Sequence, residues 1–219
     1  MKNKLLITLF VTSLFSCHQQ KINLVLGEII NTKESSFIDE LEKEFNCEYN
    51  DEFMSSRFYI KSFYSLLEKD ALNLSTNNSI VSLLEKTDNI ILNIGNYELI
   101  RLINYTEIDL VYDQEVVKTS LEMFDYYLHN SLDILSSYTN NIIVIPLYNS
   151  LLLEESIKQN YNQLIDSYNQ VIEDNCREFN IKYVNIDKLS YFVYKDNYIS
   201  NKGLTYLFKQ IRNVYGSSW

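Results

Sequence analysis

Residues 22–30 read Ile22-Asn23-Leu24-Val25-Leu26-Gly27-Glu28-Ile29-Ile30, a short apolar run that breaks off at a glycine. A β-branched and leucine-rich run of this length predicts a strand buried on both faces, the kind found in parallel sheets. Gly27 predicts an abrupt exit from it. After Asn31 to Ser36 come apolar residues at 37, 38, 41 and 45, the spacing of a helical face that packs back on the strand. Strand, turn and helix in that order open a βαβ unit. In such folds chemistry collects where the strands end.

The remaining chain continues the alternation. A second helix is predicted over 55–70, with Phe58, Phe63, Leu66 and Leu67 inward, then a short strand over 71–74 and a short helix over 80–86. Asn89-Ile90-Ile91-Leu92-Asn93-Ile94, closed by Gly95, predicts an interior strand at the centre of the sheet. The longest helix is predicted over 114–138, with Val117, Leu121, Phe124, Leu128, Leu132 and Leu135 on one face. His129 falls inside it and reads as a surface or hydrogen-bonded histidine rather than a catalytic one. A strand over 141–147 ends at Pro146, which cannot donate to a ladder. A helix over 154–179, a strand over 182–186 and a helix over 203–215 complete the pattern. The fold class that follows is an α/β three-layer sandwich with about five mostly parallel strands.

Length and composition bound the rest. The chain has 219 residues, one proline and four glycines, with no linker-like stretch, so one domain is expected over 22–219. The net charge is -10 and no basic run lies outside the first residues, which argues against a nucleic-acid partner. Eighteen tyrosines read either as an aromatic binding surface or as compositional filling of core and rim positions.

Residues 1–16 carry Lys2 and Lys4, then an apolar run from Leu5 to Leu14, then a small Ser16 before Cys17, the composition of a secretory signal. The run is too short for a spanning helix flanked by structure. Leu14-Phe15-Ser16-Cys17 resembles a bacterial lipobox, which implies cleavage before Cys17, lipid on that cysteine, a tether over 17–21 and attachment to the outer face of the cell membrane. An ordinary signal peptide with an incidental cysteine is the other reading. Cys47 and Cys176 either pair or stand as lone buried thiols. No Cys/His cluster has metal-ligand spacing, and no glycine loop cradles a phosphate, so neither a metal nor a cofactor is expected.

The pieces, taken in order, resemble the SGNH/GDSL hydrolases, and the resemblance covers nearly all of the chain after the tether. Leu26-Gly27-Glu28-Ile29-Ile30 stands where that family has its Gly-Asp-Ser-Leu block. Asn73-Leu74-Ser75-Thr76-Asn77-Asn78-Ser79 stands at the second block, and Ile94-Gly95-Asn96-Tyr97-Glu98-Leu99 at the third. Leu147-Tyr148-Asn149-Ser150 matches the turn after the fourth strand, and Tyr168-Asn169 an aromatic-asparagine pair on the next helix. Asp196-Asn197-Tyr198-Ile199-Ser200-Asn201 with Gly203 matches the final Asp-x-x-His block.

The resemblance implies the fold and also shows what is missing. The nucleophile position holds Ile29, the oxyanion glycine position Asn78, the oxyanion asparagine position Tyr97, and the histidine position Ile199, or Tyr198 counted back from Gly203. An isoleucine has no lone pair to attack with. In a triad-type hydrolase, loss of nucleophile or base removes on the order of 10⁶ in turnover, and loss of one oxyanion donor roughly 10² to 10³. Ile29 and Ile199 also exchange a wet polar site for apolar surface.

Glu28 stands at the family's bracing aspartate and reads as a strand-end carboxylate or the partner of a helix N-terminus. Glu98 and Asp196 are expected near the same edge, in turn and capping roles or as an acid/base pair. Asn96 would return an amide to the oxyanion position after a one-residue shift. Thr32, Ser35 and Ser36 are candidates for a displaced nucleophile and equally suit a helix start. Two functions remain. One is a catalytically inactive, exported lipoprotein that binds a glycan, a peptidoglycan fragment or a protein. The other is an atypical esterase, acylhydrolase or acyltransferase with relocated groups. A flavodoxin-like domain is a third, weaker reading.

Overall fold

In the computed structural model of the protein the described residues are 22–30, 32, 36–55, 57–72, 80–105, 114–151, 155–194 and 198–215. The signal segment with Cys17, and Ser35, Asn78 and Asp196, lie outside them. Among the described residues five strands form one parallel sheet: β1 (Ile22–Glu28), β2 (Cys47–Ser55), β3 (Thr87–Asn93), β4 (Ile142–Ile145) and β5 (Lys182–Tyr183), in the order β2-β1-β3-β4-β5. β3 therefore is the central strand, as its sequence predicts. Leu24 lies opposite Ile90, and Ile90 opposite Ile142, so the three middle strands run in register.

Among the described residues seven α-helices cover both faces: α1 (Phe37–Phe45), α2 (Ile60–Leu72), α3 (Ile80–Leu84), α4 (Asn96–Tyr105), α5 (Gln114–Ser136), α6 (Glu155–Glu178) and α7 (Asn201–Tyr215). The alternation of side chains along a strand decides which cluster each residue joins. Leu24 and Leu26 face a core built with α2 through α6, while Val25 faces one built with α1 and α7. Ser36 starts α1 as its N-cap, accepting the Asp39 amide at 3.3 Å, and Asn46 ends it in the left-handed region. The three-layer α/β fold expected from the sequence is the fold of the chain.

Several boundaries differ, each for a local reason. β1 ends at Glu28, and Ile29 and Ile30 lie beyond it, although the Ile29 amide still donates to the Ser55 carbonyl at 3.0 Å. β2 was not anticipated: Cys47-Glu48-Tyr49-Asn50-Asp51-Glu52-Phe53-Met54-Ser55 carries four acidic or amide residues because it is the sheet edge, where charge is tolerated. Ala71 and Leu72, expected in a strand, finish α2, which begins at Ile60 rather than at 55. α6, with 24 residues, exceeds the 23 of α5. β5 is only two residues long, and α7 starts two residues early, at Asn201. α4, also unanticipated, begins directly after the third block.

Cys47 and Cys176 are free and belong to the cores on opposite faces of the sheet, which excludes a bond between them in this fold. His129 lies half-exposed on α5, 3.7 Å from Glu178 and with its ring against Phe179. Among the described residues no helix is long and apolar enough to cross a membrane, and no group of three or more metal-ligating side chains gathers.

Candidate functional site: a filled strand edge

Gly27 sets the geometry. Its φ is +103°, and a Cβ there would fall 2.1 Å from the Asn93 carbonyl oxygen, so β1 and β3 approach as closely as they do only because this residue is glycine. The turn it makes sends Glu28 inward, and the carboxyl is almost wholly buried at 4% exposure. Glu28 Oε1 accepts the amides of Gly95 at 2.7 Å and Tyr97 at 3.1 Å, the first orphan N–H groups of the α4 N-terminus. The Asn96 side chain is a further partner. Asn93 donates its amide to the Glu28 carbonyl at 2.7 Å, so backbone and side chain of Glu28 are both held.

Glu98 stands one turn on. Its Oε1 accepts the Ile60 amide at 2.5 Å, capping α2 from another element, while Oε2 has no hydrogen-bond partner. Burial pushes the Glu98 carboxyl up to about 7. Burial, and then the nearby Glu98 charge, push Glu28 up to about 8. The physical sequence is that Glu98 loses its proton first and its charge holds the proton on Glu28, so the two titrate as a pair. Near neutral pH the strand edge thus carries a carboxylic acid that is mostly uncharged. Tyr148, buried and close to Glu28, keeps its phenol protonated far above its ordinary range, because burial and the Glu28 charge both oppose ionisation.

The other expected site residues divide sharply. Ile199 is 1% exposed and belongs to the same core as Ile30, Val184, Ile186 and Leu204. It bridges Thr32 in parallel and Val193 in antiparallel fashion, tying the segment after β1 to the segment before α7. A Cβ on Gly203 would lie 2.5 Å from Ile199 Cγ2, so the bare glycine makes room for the isoleucine. Ile29 packs against this core from its rim. The Tyr97 ring lies against Tyr59 with centroids 4.6 Å apart, and Tyr59 in turn carries the Arg101 guanidinium at 5.1 Å. Tyr198 is 39% exposed, so the position counted back from Gly203 points outward. Asn96 Oδ1 is buried and accepts no hydrogen bond.

No hydroxyl lies among the Glu28 partners in the described residues. Ser36 is occupied as the α1 cap, and Thr32 takes part in the Ile199 bridge. Ser200 Oγ accepts the Gly203 amide at 3.2 Å as the α7 start. Asn169 clamps the end of β4 from α6, accepting the Leu147 amide at 2.8 Å and donating to its carbonyl at 2.9 Å. Tyr168 beside it meets Ser120 of α5 at 2.6 Å. The sequence placed this pair correctly on a helix but gave no sign of that duty. Asn93 was missed as a site residue; its signal was an amide at the carboxyl end of β3, directly after the apolar run Ile90-Ile91-Leu92.

Beyond the β4 and β5 ends lies a polar groove of about 730 Å³, bordered by Asn149, Asn162, Asp166, Asp187 and Tyr191. Tyr191 is 82% exposed.

No protein-family model and no curated protein matches the chain. Solved structures do. The lipase Lip_vut3 from a goat rumen metagenome superposes with a TM-score of 0.64 at 15% identity, covering 90% of this chain and 99% of that one. A mutant of Axe2, an acetyl-xylooligosaccharide esterase of Geobacillus stearothermophilus, superposes with a TM-score of 0.62 at 14% identity, covering 91% and 96%. The fold is that of these esterases. Three other solved forms of Axe2 are catalytic mutants, at a serine, an aspartate and a histidine. In Axe2 the mutated aspartate and histidine stand three positions apart.

Proposed function

We propose that the chain is a catalytically inactive member of the SGNH/GDSL hydrolase superfamily, exported as a lipoprotein anchored through Cys17 and serving as a binding or scaffold module at the cell envelope. The observation that carries this reading is Ile199. The position that the family resemblance gives to the catalytic histidine holds an apolar side chain, and that side chain is core: 1% exposed, bridged to Thr32 and Val193, and seated on Gly203. With Ile29 at the nucleophile position, neither attacking hydroxyl nor imidazole base is supplied. Likeness to Lip_vut3 and Axe2 supports the ancestry of the scaffold, and among the described residues no hydroxyl–imidazole pair stands at the strand ends. The groove beside Tyr191 is the face we assign to a glycan, peptidoglycan fragment or protein ligand, since it combines an exposed ring with amide and carboxylate side chains.

The test is hydrolysis of p-nitrophenyl acetate and of acetylxylan by the purified full chain. Rates equal to buffer are expected. Turnover that copurifies with the chain and disappears on mutating Asp196 would overturn the reading.

One observation favours the alternative, an atypical esterase or acyltransferase: Glu28 and Glu98 are raised into the range useful for acid/base work. It predicts turnover that Glu28→Gln abolishes. Against it, the Glu28 carboxyl is spent on the α4 backbone and has no hydroxyl among its hydrogen-bond partners in the described residues.

A further inference from the structure

The groove beyond the β4 and β5 ends draws its polar lining from two parts of the chain. α6 contributes Lys158, Asn162 and Asp166, spaced by fours and so on one helical face. The segment after β5 contributes Asp187, Ser190 and Tyr191. Asn162, Asp166, Asp187 and Tyr191 are exposed, so a molecule in the groove reaches each of them. Two of these are steadied by neighbouring amides: Asn162 Oδ1 accepts the Asn149 amide at 2.9 Å, and Asp187 Oδ2 that of Asn185 at 3.0 Å. Their other polar atoms, Asn162 Nδ2 and Asp187 Oδ1, and the side chains of Asp166, Ser190 and Tyr191 make no hydrogen bond within the described residues. The volume of about 730 Å³ is that of a small-ligand cleft.

We infer that this groove binds an uncharged oligosaccharide, one sugar ring laid on Tyr191 and its hydroxyls shared among Asn162, Asp166, Asp187 and Ser190. The inference rests on the reading of this groove as the ligand face and selects among the ligands named there. Asn162, Ser190 and Tyr191 offer donors and the two carboxylates offer acceptors, and a sugar hydroxyl both donates and accepts. The C–H groups of a sugar carry the partial positive charge that an aromatic face attracts, and the Tyr191 ring is 82% exposed. Charge selects against the acidic ligands. Asp166 and Asp187 outnumber Lys158 in the lining, and Lys158 is itself engaged by another group. An acidic glycan, or a peptidoglycan fragment with its peptide carboxylates, would set like charges against each other. An acyl chain would leave the polar groups of the lining unpaired.

Hexamers that differ in charge test this: N-acetylchitohexaose, xylohexaose and cellohexaose are uncharged, and hexagalacturonate is anionic. Calorimetric titration of the full chain at pH 7 should show one-site binding of at least one uncharged hexamer, with hexagalacturonate at least tenfold weaker. Tyr191→Ala should weaken the bound hexamer at least tenfold and Tyr191→Phe should keep most of its affinity, both with the parent's circular dichroism spectrum, since the position is exposed. Asn162→Ala, which removes a donor, should weaken it several-fold. Hexagalacturonate binding as tightly as the uncharged hexamers overturns the inference, and its loss in Tyr191→Ala would still uphold the groove as the ligand face. Binding that neither Tyr191→Ala nor Asn162→Ala alters overturns both. No heat from any uncharged hexamer up to millimolar concentration overturns the inference and leaves the groove to a protein ligand.

Discussion

Replacing Glu28 by glutamine isolates the energetic consequence of burying a carboxyl at the β1 end. The folded chain holds this proton up to about pH 8, whereas an unfolded glutamate releases it near 4.5. Between those values the unfolded state has given up a proton that the folded state keeps, so stability falls as pH rises and is flat again above about 8. At 1.36 kcal/mol per pKa unit, the whole decline amounts to roughly 3–5 kcal/mol. Part of it is shared with Glu98, which acts in the same direction between 4.5 and about 7. Glutamine cannot ionise. Its oxygen can still accept the Gly95 and Tyr97 amides.

Urea unfolding followed by circular dichroism at pH 5, 6.5 and 8 measures the effect. Moving from pH 5 to pH 8 should shift the stability difference between Glu28→Gln and the parent by at least ~2 kcal/mol in favour of the variant. A difference that stays constant across this range refutes a buried, protonated Glu28. A constant difference is also what a stabilising carboxylate with a lowered pKa would give, being ionised in both states throughout this range.

Further substitutions report on the packing of the edge. Ile199→Ala should cost about 2–4 kcal/mol in urea unfolding, because the side chain is fully enclosed and its removal leaves a void under the Thr32 and Val193 bridges. Gly203→Ala should cost about 1–3 kcal/mol despite better helix propensity, since the new methyl meets Ile199 Cγ2 and Phe192 Cβ, and the Ile199→Ala background should relieve only the part due to Ile199. Asn169→Ala removes both hydrogen bonds to Leu147 and should lower stability by about 2 kcal/mol, the β4 end losing hydrogen-exchange protection first. Burial raises the Cys47 and Cys176 thiols to about 12. Both should therefore resist a thiol reagent at pH 8 in the folded protein and react together on unfolding.

The legible part of the sequence was its apolar periodicity. β1, β3 and β4 announced themselves because strands covered on both faces are nearly uniform in character, and α5 and α6 because one helical face repeats over many turns. β2 was hidden for the opposite reason, its edge position permitting Glu48, Asp51 and Glu52. The start of α4 was hidden because its cap is Glu28, 67 residues away from Gly95, and no local signal encodes a cap supplied by another strand. The same holds for Glu98 and the Ile60 amide, 38 residues apart. Resemblance located Glu28, Tyr97 and Ile199, but burial, which decides what each can do, is a property of the assembled layers.

The polar residues at this edge follow one pattern. Glu28 satisfies two α4 amides, Glu98 one α2 amide, Asn93 the Glu28 carbonyl, and Asn169 both backbone groups of Leu147. Each serves the backbone, whose buried groups must be paired whatever the chain does. Ile29 and Ile199, at the positions where the resemblance expects reacting groups, serve no backbone group through their side chains and are apolar. A strand end that did chemistry would need the reverse: a polar group left unspent, facing space, with its partner at hydrogen-bond distance. Glu98 Oε2 and Asn96 Oδ1 are unpaired but enclosed, with no open space in front of them, so neither fits this description.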